Sequence, residues 1–201
     1  RGLGDVYKRQ PLLLFALISG DCSHLKRWLM SMPPAQDGTT YLNFLASHDG
    51  IGLRPAEGLL EEHELSLLVS TMENFGGKVS LRTTADDAVR PYEINISLWD
   101  AMSGTLGNDA DDLQFERFMC GLAITIALEG VPALYIHTLL ATENDATKVE
   151  HTGNLRSINR HIWDEGELVT KLSTSTHHQR VFEAAIKLLA IRRKQKSFHP
   201  N

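Results

Sequence analysis

Apolar residues fall in short blocks along the chain, and the spacing inside each block predicts an element. Residues 11–18 are almost wholly apolar, and Gly20-Asp21 breaks the run. Ser23 has the chemistry to cap a short helix through Leu25, Trp28 and Leu29, because its oxygen accepts from a free N–H of the first turn. Pro33-Pro34 and Asp37-Gly38 mark a loop. Residues 41–46 are short, nearly all apolar and bounded by loop signals, which predicts a strand buried on both faces in a parallel sheet. That strand runs directly into Ser47-His48-Asp49-Gly50.

Helical spacing dominates further on. Residues 61–74 place Leu65, Leu68 and Met72 on one stripe, and Gly76-Gly77 ends the pattern. Two short strands are predicted at 78–82 and 92–96, separated by a polar stretch at 83–90. The clearest helix is 109–129, with acidic residues in its first turn and Phe115, Phe118, Met119, Leu122 and Ile126 at helical spacing. That stripe reads as core rather than as a cofactor box. Gly130 and Pro132 stop it, and 133–137 reads as another short buried strand. Residues 142–160 are polar and weakly periodic, long enough to predict a functional loop. A last helix is expected at 178–194, with Val181, Phe182, Ala185, Ile186 and Leu189 inward. Strands alternating with helices predict a parallel α/β architecture.

Composition narrows the function classes. The chain has 201 residues, 42% hydrophobic and 22% charged, with a formal net charge of −5. A mildly acidic chain without a basic stripe excludes a nucleic-acid-coating role. No apolar run approaches the length of a membrane span. Cys22 and Cys120 are far apart and form no Cys-x-x-Cys pair, so both are expected as reduced core thiols of a cytoplasmic protein. The nine histidines show no His-x-x-x-His or Cys/His spacing, so no metal and no cofactor are expected. Residues 1–10 resemble a translated sequencing adapter and are read as a non-native segment. The chain stops at His199-Pro200-Asn201, right after a helical pattern, and both ends are expected to be cuts.

His48-Asp49 carries the first candidate chemistry. It stands where a buried strand ends, and in parallel barrels the carboxyl ends of the strands form the active face. An aspartate there can hold a substrate hydroxyl, and the histidine can donate to a sugar. Alone, the dipeptide also fits an aspartate capping the next turn beside a surface histidine. Four blocks change that weighing. Residues 43–52, ending His48-Asp49-Gly50-Ile51-Gly52, resemble the last conserved block of the α-amylase clan, and more narrowly its sucrose phosphorylase subfamily. Tyr92-Glu93-Ile94-Asn95 with Trp99-Asp100-Ala101 is similar to that subfamily's mobile loop and following short helix. Residues 130–135 resemble its eighth barrel strand, and Asn144-Asp145 with 152–161 resemble its substrate-binding loop.

The resemblance implies a partial (β/α)8 TIM barrel, with residues 11–201 as the C-terminal part holding the last two barrel strands and flanking helices. It implies that Asp49 stabilises the transition state, that His48 contacts a glucosyl ring and that Arg156 grips glucosyl hydroxyls. The activity implied is phosphorolysis of an α-glucoside to α-glucose 1-phosphate by retaining double displacement. The small molecules expected are a sugar and inorganic phosphate, with no nucleic acid and no membrane partner, and the full-length parent is expected as a homodimer. The family's nucleophilic aspartate and acid/base glutamate lie upstream of these blocks, so the chain by itself is expected to be inactive.

Two positions depart from the sucrose-specific pattern. Leu53-Arg54-Pro55 looks closer to relatives acting on glucosylglycerate or glucosylglycerol, and Arg54 is a candidate for an anionic acceptor or phosphate. Glu93 stands where sucrose-specific members have an amide, and its charge would repel an anionic acceptor unless it points away. His137 is expected as a core or rim histidine. The rival readings are a hydrolase or transglycosylase of the same clan, and a non-catalytic sugar-binding module.

Overall fold

The computed structural model describes residues 9–83 and 87–198, so residues 1–8 of the segment set apart above lie outside the described residues. Helix α1 (Arg9–Ser19) is apolar all round. Leu12, Leu13, Leu14, Phe15 and Ile18 are buried, which makes α1 the axis of the main core. The side-chain amide of Gln10 donates to the Leu45 carbonyl at 3.1 Å. Gly20 closes α1 in the left-handed region at φ +76°, where its N–H donates to the Ala16 carbonyl. Helix α2 (Ser23–Ser31) follows. The expected capping by Ser23 does not occur. Asp21, two residues earlier, accepts from both the N–H and the hydroxyl of Ser23.

Two strands form a parallel pair. β1 (Leu42–Asn43) lies beside β5 (Val131–Pro132), with Leu42 opposite Val131 and Asn43 opposite Pro132. The Asn43 side-chain amide donates to the Glu129 carbonyl at 2.6 Å, which ties β1 to the turn before β5. β1 is shorter than expected and is not buried on both faces, since Leu42 is 46% exposed and Val131 47%. Among the described strands β1 and β5 pair with each other, and their apolar residues Leu42 and Val131 stay about half exposed. The strand expected at 133–137 is likewise displaced. Residues 136–139 turn into a short helix, α6 (Ile136–Leu139), and a short apolar run alone does not distinguish the two. Exposed apolar side chains on a two-stranded pair predict association. In size-exclusion chromatography the 201-residue chain is expected to elute as larger species, and a monodisperse, cooperatively melting monomer would contradict this.

A second sheet is antiparallel, in the order β2-β4-β3: β2 (Ile51–Gly52), β4 (Val89–Asn95) and β3 (Lys78–Thr83). β3 follows α3 (Glu62–Asn74), whose start is fixed by a reciprocal capping box between Glu61 and Glu64. The parallel pattern expected throughout therefore holds for β1–β5 alone among the described strands.

Helix α4 (Leu98–Ala101) leads to α5 (Gln114–Ala127), which begins five residues later than expected. Asp111 explains the delay. Its carboxylate accepts from the Leu113 N–H at 2.8 Å and pairs with Arg117 at 2.6 and 3.0 Å, holding the acidic stretch in turns. Residues 142–160 are not one loop. They hold α7 (Ala146–Thr152) and a 3-10 turn (Leu155–Asn159). Neither α7 nor α8 (Glu165–Ser173) buries a residue, so neither left an apolar period in the sequence. Asp145 and Asp164 cap them instead. The long α9 (His177–Lys194) packs on α5. Cys22 and Cys120 are free but exposed, against the expectation of core thiols. Cys22 precedes α2, and Cys120 lines an apolar surface groove with Phe115, Met119 and Leu188.

Asp100 on α4 sits under the 142–145 segment, where its carboxylate accepts from the Asn144 N–H at 2.6 Å. Burial pushes its pKa up to about 6 from 3.8. The charged form is thus disfavoured in the folded state. That penalty is complete above pH 6, fades as pH falls from 6 to 3.8, and is absent below. Asp100→Asn keeps an acceptor for Asn144 and removes the charge. It is expected to stabilise the fold by on the order of 2 kcal/mol at neutral pH, with the gain lost in acid, as read by urea unfolding at both pH values.

Candidate active site

Three elements bring the candidate residues together. The loop after β1 supplies His48 and Asp49, β4 supplies Glu93 and Asn95, and the 3-10 turn with the residue after it supplies Arg156 and Arg160. The 3-10 turn is held at its start by Asn154, whose side chain accepts from the Arg156 N–H at 3.1 Å. At its end the Asn159 amide donates to the Ser47 carbonyl at 2.8 Å, and the Asn159 carbonyl accepts from the Tyr135 hydroxyl at 2.7 Å. Asn159 therefore couples the turn to the Asp49 loop and to the segment after β5.

Asp49 and Arg156 meet in this cluster. Arg156 Nη1 lies 3.1 Å from Asp49 Oδ1. Arg160 Nη2 donates to the same oxygen at 3.1 Å, and Arg160 Nε donates to the His48 carbonyl at 2.9 Å. Both arginines meet Oδ1, and no hydrogen bond to Asp49 Oδ2 is made among the described residues. His48 is exposed, with Nε2 3.5 Å from Asp49 Oδ1.

Glu93, expected to reach substrate from a mobile loop, lies in the paired strand β4 and is 5% exposed. Its two oxygens accept from Arg156 Nε at 3.0 Å and Nη2 at 2.8 Å, a two-pronged geometry that fits a guanidinium. Asn95 Nδ2 donates to Glu93 as well, and Asn95 Oδ1 accepts from Ser80 at 2.7 Å. Donation to the Glu93 carboxylate holds Arg156 even more firmly protonated than usual. Glu93 therefore points at Arg156, and its charge is matched there rather than turned on an acceptor. The cluster balances two carboxylates against two guanidiniums.

Arg54 is exposed in a 3-10 turn after β2, has no ion-pair partner among the described residues and does not touch this cluster. His137 is 8% exposed, with Nδ1 3.0 Å from the Thr142 hydroxyl, as expected of a core histidine. Arg160, Asn159 and Asn95 were not singled out from sequence. The run Ser157-Ile158-Asn159-Arg160 was visible, but nothing in its spacing indicated which side chains would turn toward Asp49.

No protein-family model matches the chain. It is 36% identical over 192 residues to a glucosylglycerate phosphorylase of Allomeiothermus silvanus, covering 95% of this chain and 34% of that protein. It is 32% identical over 169 residues to a sucrose phosphorylase of Agrobacterium vitis, covering 79% of this chain and 31% of that one. The chain thus spans about a third of the length of the curated relatives it matches. Among solved structures it resembles a sucrose 6F-phosphate phosphorylase from Thermoanaerobacter thermosaccharolyticum with a TM-score of 0.79 and 23% identity, over 97% of this chain and 37% of that one. That likeness shows an α/β fold, consistent with part of a barrel. The chain belongs to the sucrose phosphorylase subfamily, glucosylglycerate phosphorylases included.

Proposed function

We propose that this chain is the C-terminal barrel portion of a retaining glycoside phosphorylase that transfers a glucosyl group from an α-glucoside to phosphate. The observation that carries the proposal is the Asp49 carboxylate, held between Arg156 and Arg160 at Oδ1. Retaining chemistry passes through an oxocarbenium-like transition state. One carboxylate attacks the anomeric carbon as a second carboxyl protonates the leaving oxygen, and phosphate then displaces the enzyme carboxylate. Asp49 holds ring hydroxyls, and its grip tightens as positive charge grows, which is the difference that accelerates the step. Arg156 and His48 complete the glucosyl site. The attacking carboxylate and the acid/base are supplied by the remaining barrel, so the 201-residue chain turns over nothing by itself.

An acceptor of the glycerate kind is favoured over fructose. The glucosylglycerate phosphorylase is the more similar of the two relatives, at 36% against 32% identity. Arg54 supplies an exposed cation for a carboxylate or phosphate, and Glu93 is neutralised by Arg156 rather than free to repel either. The test is an assay of the full-length protein with glucosylglycerate, glucosylglycerol and sucrose. Release of glucose 1-phosphate that requires phosphate, fastest with glucosylglycerate, is expected. Free glucose at an equal rate without phosphate would establish the rival hydrolase instead.

A further inference from the structure

We propose that Glu143, His177 and His178 bind a divalent transition-metal ion of the zinc class, at a site separate from the Asp49 cluster. One ligand atom from each side chain, a carboxylate oxygen and two ring nitrogens, already lies within 4.8 Å of the others. Around a tetrahedral zinc with bonds near 2.1 Å, such atoms stand about 3.4 Å apart. The remaining closure falls to Glu143, whose side chain is 58% exposed and free to move.

The histidines are arranged as metal ligands are. His178 is 1% exposed, and its Nδ1 lies 2.8 Å from the Leu140 carbonyl. A carbonyl only accepts, so Nδ1 carries the proton and Nε2 presents a lone pair. That Nε2 is buried without a hydrogen-bond partner. A buried unmatched acceptor is costly, and a cation is the ligand that satisfies a bare imidazole nitrogen. His177 is held in the same way, with Nε2 3.2 Å from the Ala141 carbonyl, and it stacks on Trp99 at 4.5 Å. Ala141 presents that carbonyl from a left-handed backbone at φ +47°. With Nε2 donating to that carbonyl, Nδ1 is the His177 nitrogen that has a lone pair to offer, and Glu143 Oε1, 3.9 Å from Nε2, is too far to hydrogen-bond the ring. Two imidazoles and one carboxylate suit zinc rather than magnesium, which prefers oxygen ligands. The exposed side of Glu143 leaves the fourth position to water.

A metal there would clamp the 140–144 segment onto the start of α9. That segment matters because Asn144 accepts from the Ser97 N–H at 2.7 Å and donates to the Phe75 carbonyl at 3.2 Å. The test is equilibrium dialysis of the full-length protein against zinc chloride, with bound metal read by elemental analysis. Glu143→Gln, His177→Gln and the double variant serve as comparisons, because both positions are more exposed than His178 and circular dichroism verifies their fold. About one zinc per chain is expected, with affinity at least about ten-fold weaker in each single variant and specific uptake lost in the double. Magnesium is expected to be left unbound. No zinc uptake by the parent chain, or equal uptake by the double variant, would overturn the proposal.

Discussion

Asp49→Asn in the full-length protein is expected to lower kcat/KM for phosphorolysis by about 100- to 1,000-fold, about 3–4 kcal/mol of transition-state stabilisation. Asparagine has the same shape and can still accept from Arg156 and Arg160, which both meet Oδ1 at 3.1 Å. What it lacks is the charge. Two guanidiniums would then face the glucosyl site without their shared anion, and they oppose a ring that is becoming positive. The loss therefore appears mainly in the transition state, so kcat and kcat/KM should fall together. Steady-state kinetics with glucosylglycerate and phosphate measure it. A rise in KM with kcat unchanged would mean that Asp49 only binds substrate, and the role assigned to it would be wrong.

Gly50→Ala is expected to cost about 3 kcal/mol or more and to dismantle the same site from beneath. A Cβ at residue 50 would stand 2.2 Å from the Ile94 carbonyl oxygen, 2.7 Å from Asn95 Nδ2 and 2.8 Å from Glu93 Cγ. β4 has nowhere to retreat, because β2 holds one of its edges and β3 the other. Relief must come from moving β4, which carries the partner of Arg156. Gly52→Ala is the control. Its Cβ would meet only Pro55 Cδ at 3.7 Å, an ordinary contact, so a change within about 1 kcal/mol is expected. Thermal and urea unfolding of the two variants compare them directly. Equal stabilities would show that the close approach at Gly50 is not what holds the two strands together.

These two residues also mark how much could be read from the chain. The His48-Asp49-Gly50-Ile51-Gly52 block stood out by its residue types and by its place after an apolar run. Its glycine has a physical reason that the structure supplies, the contact with β4. Helices with a strong apolar stripe, α3 and α9, appeared close to where their periodicity put them. α5 kept its stripe but lost its first turn to Asp111, whose carboxylate competes for the backbone N–H that a helix would use. α7 and α8 escaped notice because a helix that buries nothing leaves no period in the sequence. The strand expected at 133–137 failed because a short apolar run serves a strand and a helix equally.

The sequence by itself determined where apolar stripes lie, which short polar residues stop or cap them, and that an aspartate follows the first strand of a parallel pair. Only the tertiary structure decided what meets that aspartate. Glu93 and Arg156 are 63 residues apart and Asp49 and Arg160 are 111 apart, yet each pair is in hydrogen-bond contact. Ligand atoms of Glu143, His177 and His178 are likewise brought within 4.8 Å of one another only by folding, with no spacing signature in the sequence. Local patterns record a residue's immediate neighbours along the chain, whereas a charged cluster depends on which faces are turned toward one another once the strands and turns have packed.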